Sequence, residues 1–304
     1  SIKSEVVLEF MSDKIVIIGG SGFVGSHTAD YLSELGNEVV ILDRKKAEWL
    51  RPDQLFYEID LNDCDRIKEH LSGARFVYHF AGIADIGEAK ANPNLTLSVN
   101  IMGTASVLEA CVDLGIERFI YASTMYVYSP YGSFYRASKQ AAEIVIESYH
   151  EHYNLDYTIL RYGSLYGPRS QEWNGLHKYI SEVVKDKKLI YRGTGKERRE
   201  YIHVQDAAQL SIDILDEQYI NKAITVTGNQ ILNSEELIDM IFEIAGVKKN
   251  VDFSSDQISE DHYRMTPYRY TPKKALKLTP TKYTDIGQGI LEIVEEISRK
   301  SEDK

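Results

Sequence analysis

Tyr135 and Lys139 stand four positions apart in Tyr135-Arg136-Ala137-Ser138-Lys139, where Ala137, Ala141, Ala142, Ile144, Val145 and Ile146 predict a helix over residues 135–149. Positions four apart share a helix face, so a phenol and an ammonium point the same way. The ammonium favours the phenolate, and the pair could then take a proton from a hydroxyl and give it back. With 21 tyrosines in the chain, the same spacing also arises by chance as a surface pair. Its placement argues for chemistry. It follows the apolar run Phe119-Ile120-Tyr121-Ala122-Ser123-Thr124, a strand whose end supplies hydroxyls where a doubly wound sheet puts its ligands.

A second segment complements the first. Lys14-Ile15-Val16-Ile17-Ile18 is a β-branched run of the kind buried in a parallel sheet, and it leads into Gly19-Gly20-Ser21-Gly22-Phe23-Val24-Gly25. Phe23, Val24, Ala29, Leu32 and Leu35 then recur at helical spacing as far as Gly36, a C-cap. Strand, glycine turn and helix together aim backbone N–H groups and a positive helix end at a phosphate, with glycine wherever a side chain would block approach. Turns need glycine for other reasons, so the pattern alone is weak. Glu38-Val39-Val40-Ile41-Leu42 strengthens it as a second strand ending in Asp43, about 20 residues on, where a carboxylate can accept from an adenosine ribose. That charge would repel a 2′-phosphate, which favours NAD over NADP. Arg44 beside it could pair with such a phosphate and works the other way.

Strand and helix patterns alternate from residue 14 to residue 161 without internal repeats. The fold class expected is α/β: a Rossmann-type doubly wound parallel sheet with a smaller C-terminal α/β lobe. Past residue 168 the pattern turns irregular. A helix is expected over 176–185, strands over 188–191 and 223–227, an amphipathic helix over 234–244 and an acidic closing helix over 285–297. Residues 1–13 are expected to be a tag or disordered extension, 14–167 the dinucleotide-binding domain, and 168–304 mainly a substrate lobe with segments returning to the large domain.

Composition narrows the function. A chain of 304 residues can build both units around continuous cores. A net charge of −11 argues against nucleic-acid binding, whose footprint is a basic face. An anionic ligand would have to find local charge among Arg169, Arg192, Lys196, Arg198, Arg199, Arg264 and Arg269, all in the second half. Cys64 and Cys111 form neither a disulfide framework nor a metal cluster, so no metal and a reducing, cytoplasmic location are expected. No apolar run is expected to reach the length of a membrane span.

Several ordered motifs resemble the extended short-chain dehydrogenase/reductases, specifically the nucleotide-sugar epimerase/dehydratase family, from about Lys14 to about Glu296. Gly19, Gly22 and Gly25 match the family's glycine turn, and Asp60-Leu61 its adenine-side pair. His79-Phe80-Ala81-Gly82 and Asn100 match its fourth-strand motif and the asparagine of the helix beyond. Ser123-Thr124-Met125-Tyr126-Val127-Tyr128 matches its hydroxyl segment. Arg161-Tyr162-Gly163-Ser164-Leu165-Tyr166-Gly167-Pro168-Arg169 and Arg199-Glu200-Tyr201-Ile202-His203-Val204-Gln205-Asp206 match its later signatures. The resemblance implies Thr124, Tyr135 and Lys139 as catalytic residues. It implies a cofactor, NAD, held by the glycine turn with Phe23 and Val24, by Asp43 and Arg44, by Asp60 and Leu61, and by Phe80, Ala81 and Gly82. Asn100, Ala122, Tyr135, Lys139 and Tyr162 complete that set. Ser123, Thr124, Ser164, Arg199 and Arg264 are implied for a nucleotide-diphosphate sugar. The family commonly forms homodimers through two helices, here about 95–114 and 135–153.

In the family, 4,6-dehydratases carry Asp-Glu after the catalytic threonine, and decarboxylases a glutamate at the second of those positions. This chain has Met125-Tyr126, which leaves a 4-epimerase, and residues 79–89 resemble the UDP-sugar 4-epimerases. A 4-dehydrogenase or keto-sugar reductase would use the same Thr/Tyr/Lys set and stays open. A non-enzymatic NAD-binding regulator would not need that set. Two departures lie beside the sugar. The loop between Tyr128 and Tyr135 is short, with Ser129 for glycine, and Gly163-Ser164 replaces a substrate-contacting asparagine.

Overall fold

The computed structural model describes residues 12–254. At its centre lie β1 (Lys14–Ile18), β2 (Glu38–Asp43), β3 (Gln54–Glu58), β4 (Phe76–His79), β5 (Arg118–Thr124), β6 (Tyr157–Tyr162) and the late strand Lys222–Val226. They form one sheet, all neighbours parallel, in the order Lys222–Val226, β6, β5, β4, β1, β2, β3. The order reverses between β1 and β4, so the ends of these strands open the crevice where such sheets take ligands.

Alternation along β1 sends side chains to opposite faces. Ile15 and Ile17 pack with Ala29 and Leu32 of α1 (Phe23–Glu34), whereas Val16 and Ile18 pack with Val107, Leu108 and Cys111. Those last residues lie on a long helical segment: α2 is Cys64–Leu71, α3 Ile86–Ala91, and α4 (Pro93–Leu97) runs through a π-helical turn, Ser98–Met102, into α5 (Gly103–Leu114). The second helix on that face is α6 (Ser133–Tyr153). It starts two residues before the expected span because Gly132, at φ +100°, turns the chain into it, and it stops at Asn154 in the left-handed region.

Two expectations need correcting here. The helix predicted over 95–114 is interrupted by the π turn that carries Asn100. The expectation that no apolar run reaches membrane-spanning length also fails on length and composition: Pro93–Leu114 is 22 residues long and contains an 18-residue stretch of mean hydropathy 1.5. It is a helix of the fold, with 39% of that 18-residue stretch buried and Leu95 and Met102 exposed.

The chain leaves the large sheet after Tyr162. β7 (Ser164–Tyr166) starts a smaller sheet, followed by α7 (Gly175–Asp186), β8 (Leu189–Tyr191), β9 (Arg198–His203) and α8 (Val204–Asp213). β10 is the late strand Lys222–Val226; β11 (Gln230–Asn233), α9 (Ser234–Ala245) and β12 (Val251–Phe253) follow. β11 pairs antiparallel with β9, and β7 pairs parallel with it; β12 pairs with β8. Leu176, Val183, Leu189, Tyr191, Ile238 and Phe242 form the lobe's own core. Two segments return to the large domain: Ala207 and Ile212 of α8 join the cluster under α1, and β10 extends the sheet beside β6. The closing helix expected over 285–297, and Arg264 and Arg269, lie outside the described residues.

Candidate active site

Tyr135 and Lys139 share one face of α6, as their spacing requires, and the Lys139 ammonium lies 5.9 Å from the Tyr135 ring centre. Lys139 is buried and donates to the Ala122 carbonyl at 2.9 Å, with its ammonium 4.8 Å from the Tyr121 ring centre. Burial pulls its ammonium down to about 8, and the nearby Glu143 carboxylate opposes that fall. A buried cation of this kind can electrostatically favour an adjacent phenolate while remaining close to giving up its own proton.

Thr124 ends β5, and its hydroxyl accepts from the main-chain N–H of Tyr126 at 3.2 Å, which caps the 3₁₀ turn Met125–Tyr128. The Tyr126 ring meets the Tyr135 ring edge-on, 6.2 Å between centres, so the strand end and the helix face come together. Ser123 is placed differently from the expectation. Its hydroxyl points under the site and donates to the Glu143 carboxylate at 2.8 Å, because strand alternation turns it away from its neighbour Thr124. Glu143 escaped the sequence reading, and its partner Arg161, whose Nε donates to it at 3.0 Å, figured there only as the first residue of a family signature. The available signal was a third position on the 135, 139, 143 ladder.

The glycine turn joins the end of β1 to the start of α1. Gly19, at φ +88°, sits so close to the β4 end that a Cβ there would lie 2.4 Å from the Ala81 nitrogen. A Cβ on Gly25 would lie 2.3 Å from the Gly19 carbonyl oxygen. Gly22 caps α1 without a side-chain hydrogen bond and with no acidic residue in the first turn, where Phe23 and Val24 follow. Asp43 accepts from the Ser21 N–H at 3.0 Å and the Arg44 N–H at 2.7 Å, while burial raises its carboxyl above the ordinary value. Arg44 is exposed. Asp60 is exposed at the end of β3 and Leu61 packs on the core.

Asn100 acts on the scaffold. Its amide accepts from the Ile83 N–H at 2.8 Å and donates to the Ile83 carbonyl at 3.0 Å and to Ser138 at 2.9 Å. It therefore fixes the Phe80-Ala81-Gly82 loop against α6, and a Cβ on Gly82 would lie 2.8 Å from it. The π turn that carries it is a device often found at functional sites. Tyr162 is buried, with its ring against Phe80 and its hydroxyl bonded to Ser211.

The small lobe borders an open cavity of about 830 Å³ that reaches Tyr126, lined by Tyr126, Ser164 and Arg199 together with Trp173, Tyr179 and Tyr191. Arg199 and Ser164 thus lie on paired strands of one sheet, and both line this cavity with Tyr126.

A model of the NAD dependent epimerase/dehydratase family matches residues 15–226. The chain belongs to that family. The UDP-glucose 4-epimerase of Thermotoga maritima, solved with UDP-glucose, superposes with a TM-score of 0.77 at 25% identity, over 85% of this chain and 90% of its own. The UDP-glucose 4-epimerase of Thermus thermophilus, solved with NAD, gives 0.74 at 27% identity over the same shares. A dTDP-D-glucose 4,6-dehydratase of Mus musculus is 25% identical over 283 residues, 82% of this chain and 79% of its own. Identity therefore does not choose between epimerase and dehydratase within the family. The cofactor of this family member is NAD, and the cradle fits it: an uncapped helix end, a glycine that a Cβ would close, and a carboxylate at the end of β2.

Proposed function

We propose that this family member is a 4-epimerase of a nucleotide-diphosphate sugar that works through a transient 4-keto sugar. The observation that supports it most is the pair of residues after Thr124. Met125 is fully buried in the core, and Tyr126 faces the cavity. Neither position carries a carboxyl group to move protons at the carbons beside the ketone, which favours oxidation and return at one carbon over loss of water.

In this reading bound NAD would supply a reversible hydride acceptor for the sugar carbon. Tyr135 takes the proton of the sugar hydroxyl and gives it back after the keto sugar has turned over. Thr124 hydrogen-bonds the same oxygen, and Lys139 holds the phenolate form of Tyr135. Gly19, Gly22, Gly25, Asp43 and the first turn of α1 hold the dinucleotide. Arg199 and Ser164 take the substrate's nucleotide end in the cavity, which supplies remote binding energy that keeps the sugar in place. The protein works as a homodimer through α4–α5 and α6, whose outer faces leave Leu95 52%, Met102 64% and Ile144 63% exposed. Its home is the cytoplasm.

Tyr135→Phe tests the acid/base role. Turnover of UDP-glucose and related UDP-sugars should fall by roughly 10²-fold or more, with NAD binding nearly intact. A variant with full turnover would end the mechanism.

A further inference from the structure

Beneath the reacting groups lies a buried carboxylate that touches all the elements carrying them. Glu143 sits on α6 one turn past Lys139 and is 5% exposed. One oxygen accepts from the Ser123 hydroxyl at 2.8 Å, directly before Thr124. The other accepts from Arg161 through Nε, at 3.0 Å, and through Nη2. Arg161 belongs to β6 and pairs in register with Ser123, so the guanidinium lies below the strand end. Its Nη1 donates to the Tyr128 hydroxyl at 2.6 Å, and its carbon lies 4.8 Å from the centre of that ring. Tyr128 closes the 3₁₀ turn that starts at Met125. Thr124 is therefore held on both sides, by Ser123 before it and by the turn after it, and both ties lead to Glu143.

We infer that Glu143 is a positioning residue for the proposed acid/base set: its carboxylate fixes the Thr124 strand end against the helix face of Tyr135 and Lys139 and keeps the Lys139 ammonium charged. The inference rests on the reading of those three residues given above. Stability alone does not account for the network, since a buried ion pair can usually be replaced by apolar residues of similar volume at little cost. Geometry and charge at the neighbouring site do account for it. Of the groups packed around Lys139, His79 on β4 is held neutral by burial, down to about 3, and Tyr121 on β5 is held in its phenol form. Tyr135 flanks it on α6, and the Ala122 carbonyl takes its proton donor. Glu143 is the carboxylate that offsets the burial of the cation.

Two measurements test it on the NAD-bound protein. The first needs no substrate. The unfolding free-energy difference between a protein and its Lys139→Met variant, followed against pH, reports the titration of Lys139. In the Glu143→Gln background its midpoint should move down by ~1 pH unit, the lower end of what one close opposite charge exerts. The second is turnover across a panel of UDP-sugars. Glu143→Gln should lower kcat roughly 10- to 10²-fold with KM little changed, the scale of a small misplacement of reacting groups. The double variant Glu143→Gln/Arg161→Gln removes the unpaired charge and should recover Tm without recovering kcat. Ser123→Ala, which deletes one bond, should give a smaller kcat loss in the same direction.

An unmoved midpoint in Glu143→Gln, or full recovery of kcat in the double variant, overturns the inference and leaves Glu143 a structural residue. Full turnover in Tyr135→Phe removes the catalytic reading instead, and leaves the midpoint shift to be judged separately.

Discussion

Raising the pH through 8 should shut down turnover by removing one proton from Lys139. Burial brings that ammonium from 10.5 to about 8, against the opposing pull of Glu143. A single group titrating there is about nine-tenths protonated at pH 7 and about one-tenth at pH 9, so turnover should drop roughly tenfold per pH unit on the alkaline side. Lys139→Arg carries a charge that no accessible pH removes, so its alkaline limb at this position should vanish, at a lower overall rate because the guanidinium fork does not reproduce the ammonium contact to Ala122. The same shift has a stability consequence whose sign is fixed. The folded value is below the unfolded one, so between about 8 and 10.5 the unfolded chain holds a proton that the folded chain has released. Stability should therefore rise with pH across that window relative to Lys139→Met, by at most about 1.4 kcal/mol per unit and about 3 kcal/mol in all. The assays are initial rates in a constant-ionic-strength buffer series and denaturant unfolding of both proteins in the same cofactor state. An alkaline limb that persists unchanged in Lys139→Arg, or a stability difference that is flat with pH, would refute the reasoning.

Three further outcomes are expected. Arg199→Ala should raise the apparent substrate constant tenfold or more with little change in NAD affinity, since a charged hydrogen-bonding group is worth about 1.5–3 kcal/mol; unchanged nucleotide-sugar binding by calorimetry would place the diphosphate elsewhere. Asp43→Ser should weaken a preference for NAD(H) over NADP(H), and tighter NADP(H) binding by the unaltered protein would mean that Arg44 decides the matter. Light scattering at micromolar concentration should give the dimer mass, and Ile144→Glu, at a position 63% exposed on α6, should shift it toward the monomer without unfolding it; a monomer at the outset sinks the proposal.

Sequence spacing carried the large sheet and the shared helix face of Tyr135 and Lys139 well, for physical reasons. β-branched runs such as residues 14–18 have one comfortable place, inside a parallel sheet, and a pair four apart on a helix has one face to share. The glycines were legible because the turn leaves no room for a Cβ, as Gly19 and Gly25 show against their neighbours. Long-range polar contacts were not legible. Ser123 was assigned to the substrate by the family resemblance, yet its hydroxyl serves a carboxylate 20 positions on. Asn100 was assigned to the cofactor, and its amide is spent on Ile83 and Ser138. The π turn around it leaves no periodic trace, because the apolar pattern of residues 93–114 runs through it unbroken. The small lobe was readable only as separate strands and helices, since pairings such as β12 with β8 join segments about 60 residues apart that no local pattern connects.

The most direct test of the account is to incubate the purified protein, with no cofactor added, with UDP-glucose, UDP-galactose, UDP-glucuronate and their N-acetylated counterparts, and to determine product stereochemistry by NMR. The account predicts interconversion of a pair that differs only at C4, with no net NADH released and no loss of water or carbon dioxide. A 4-keto-6-deoxy product, a pentose, or a reaction that consumes added NAD in proportion to product would contradict it.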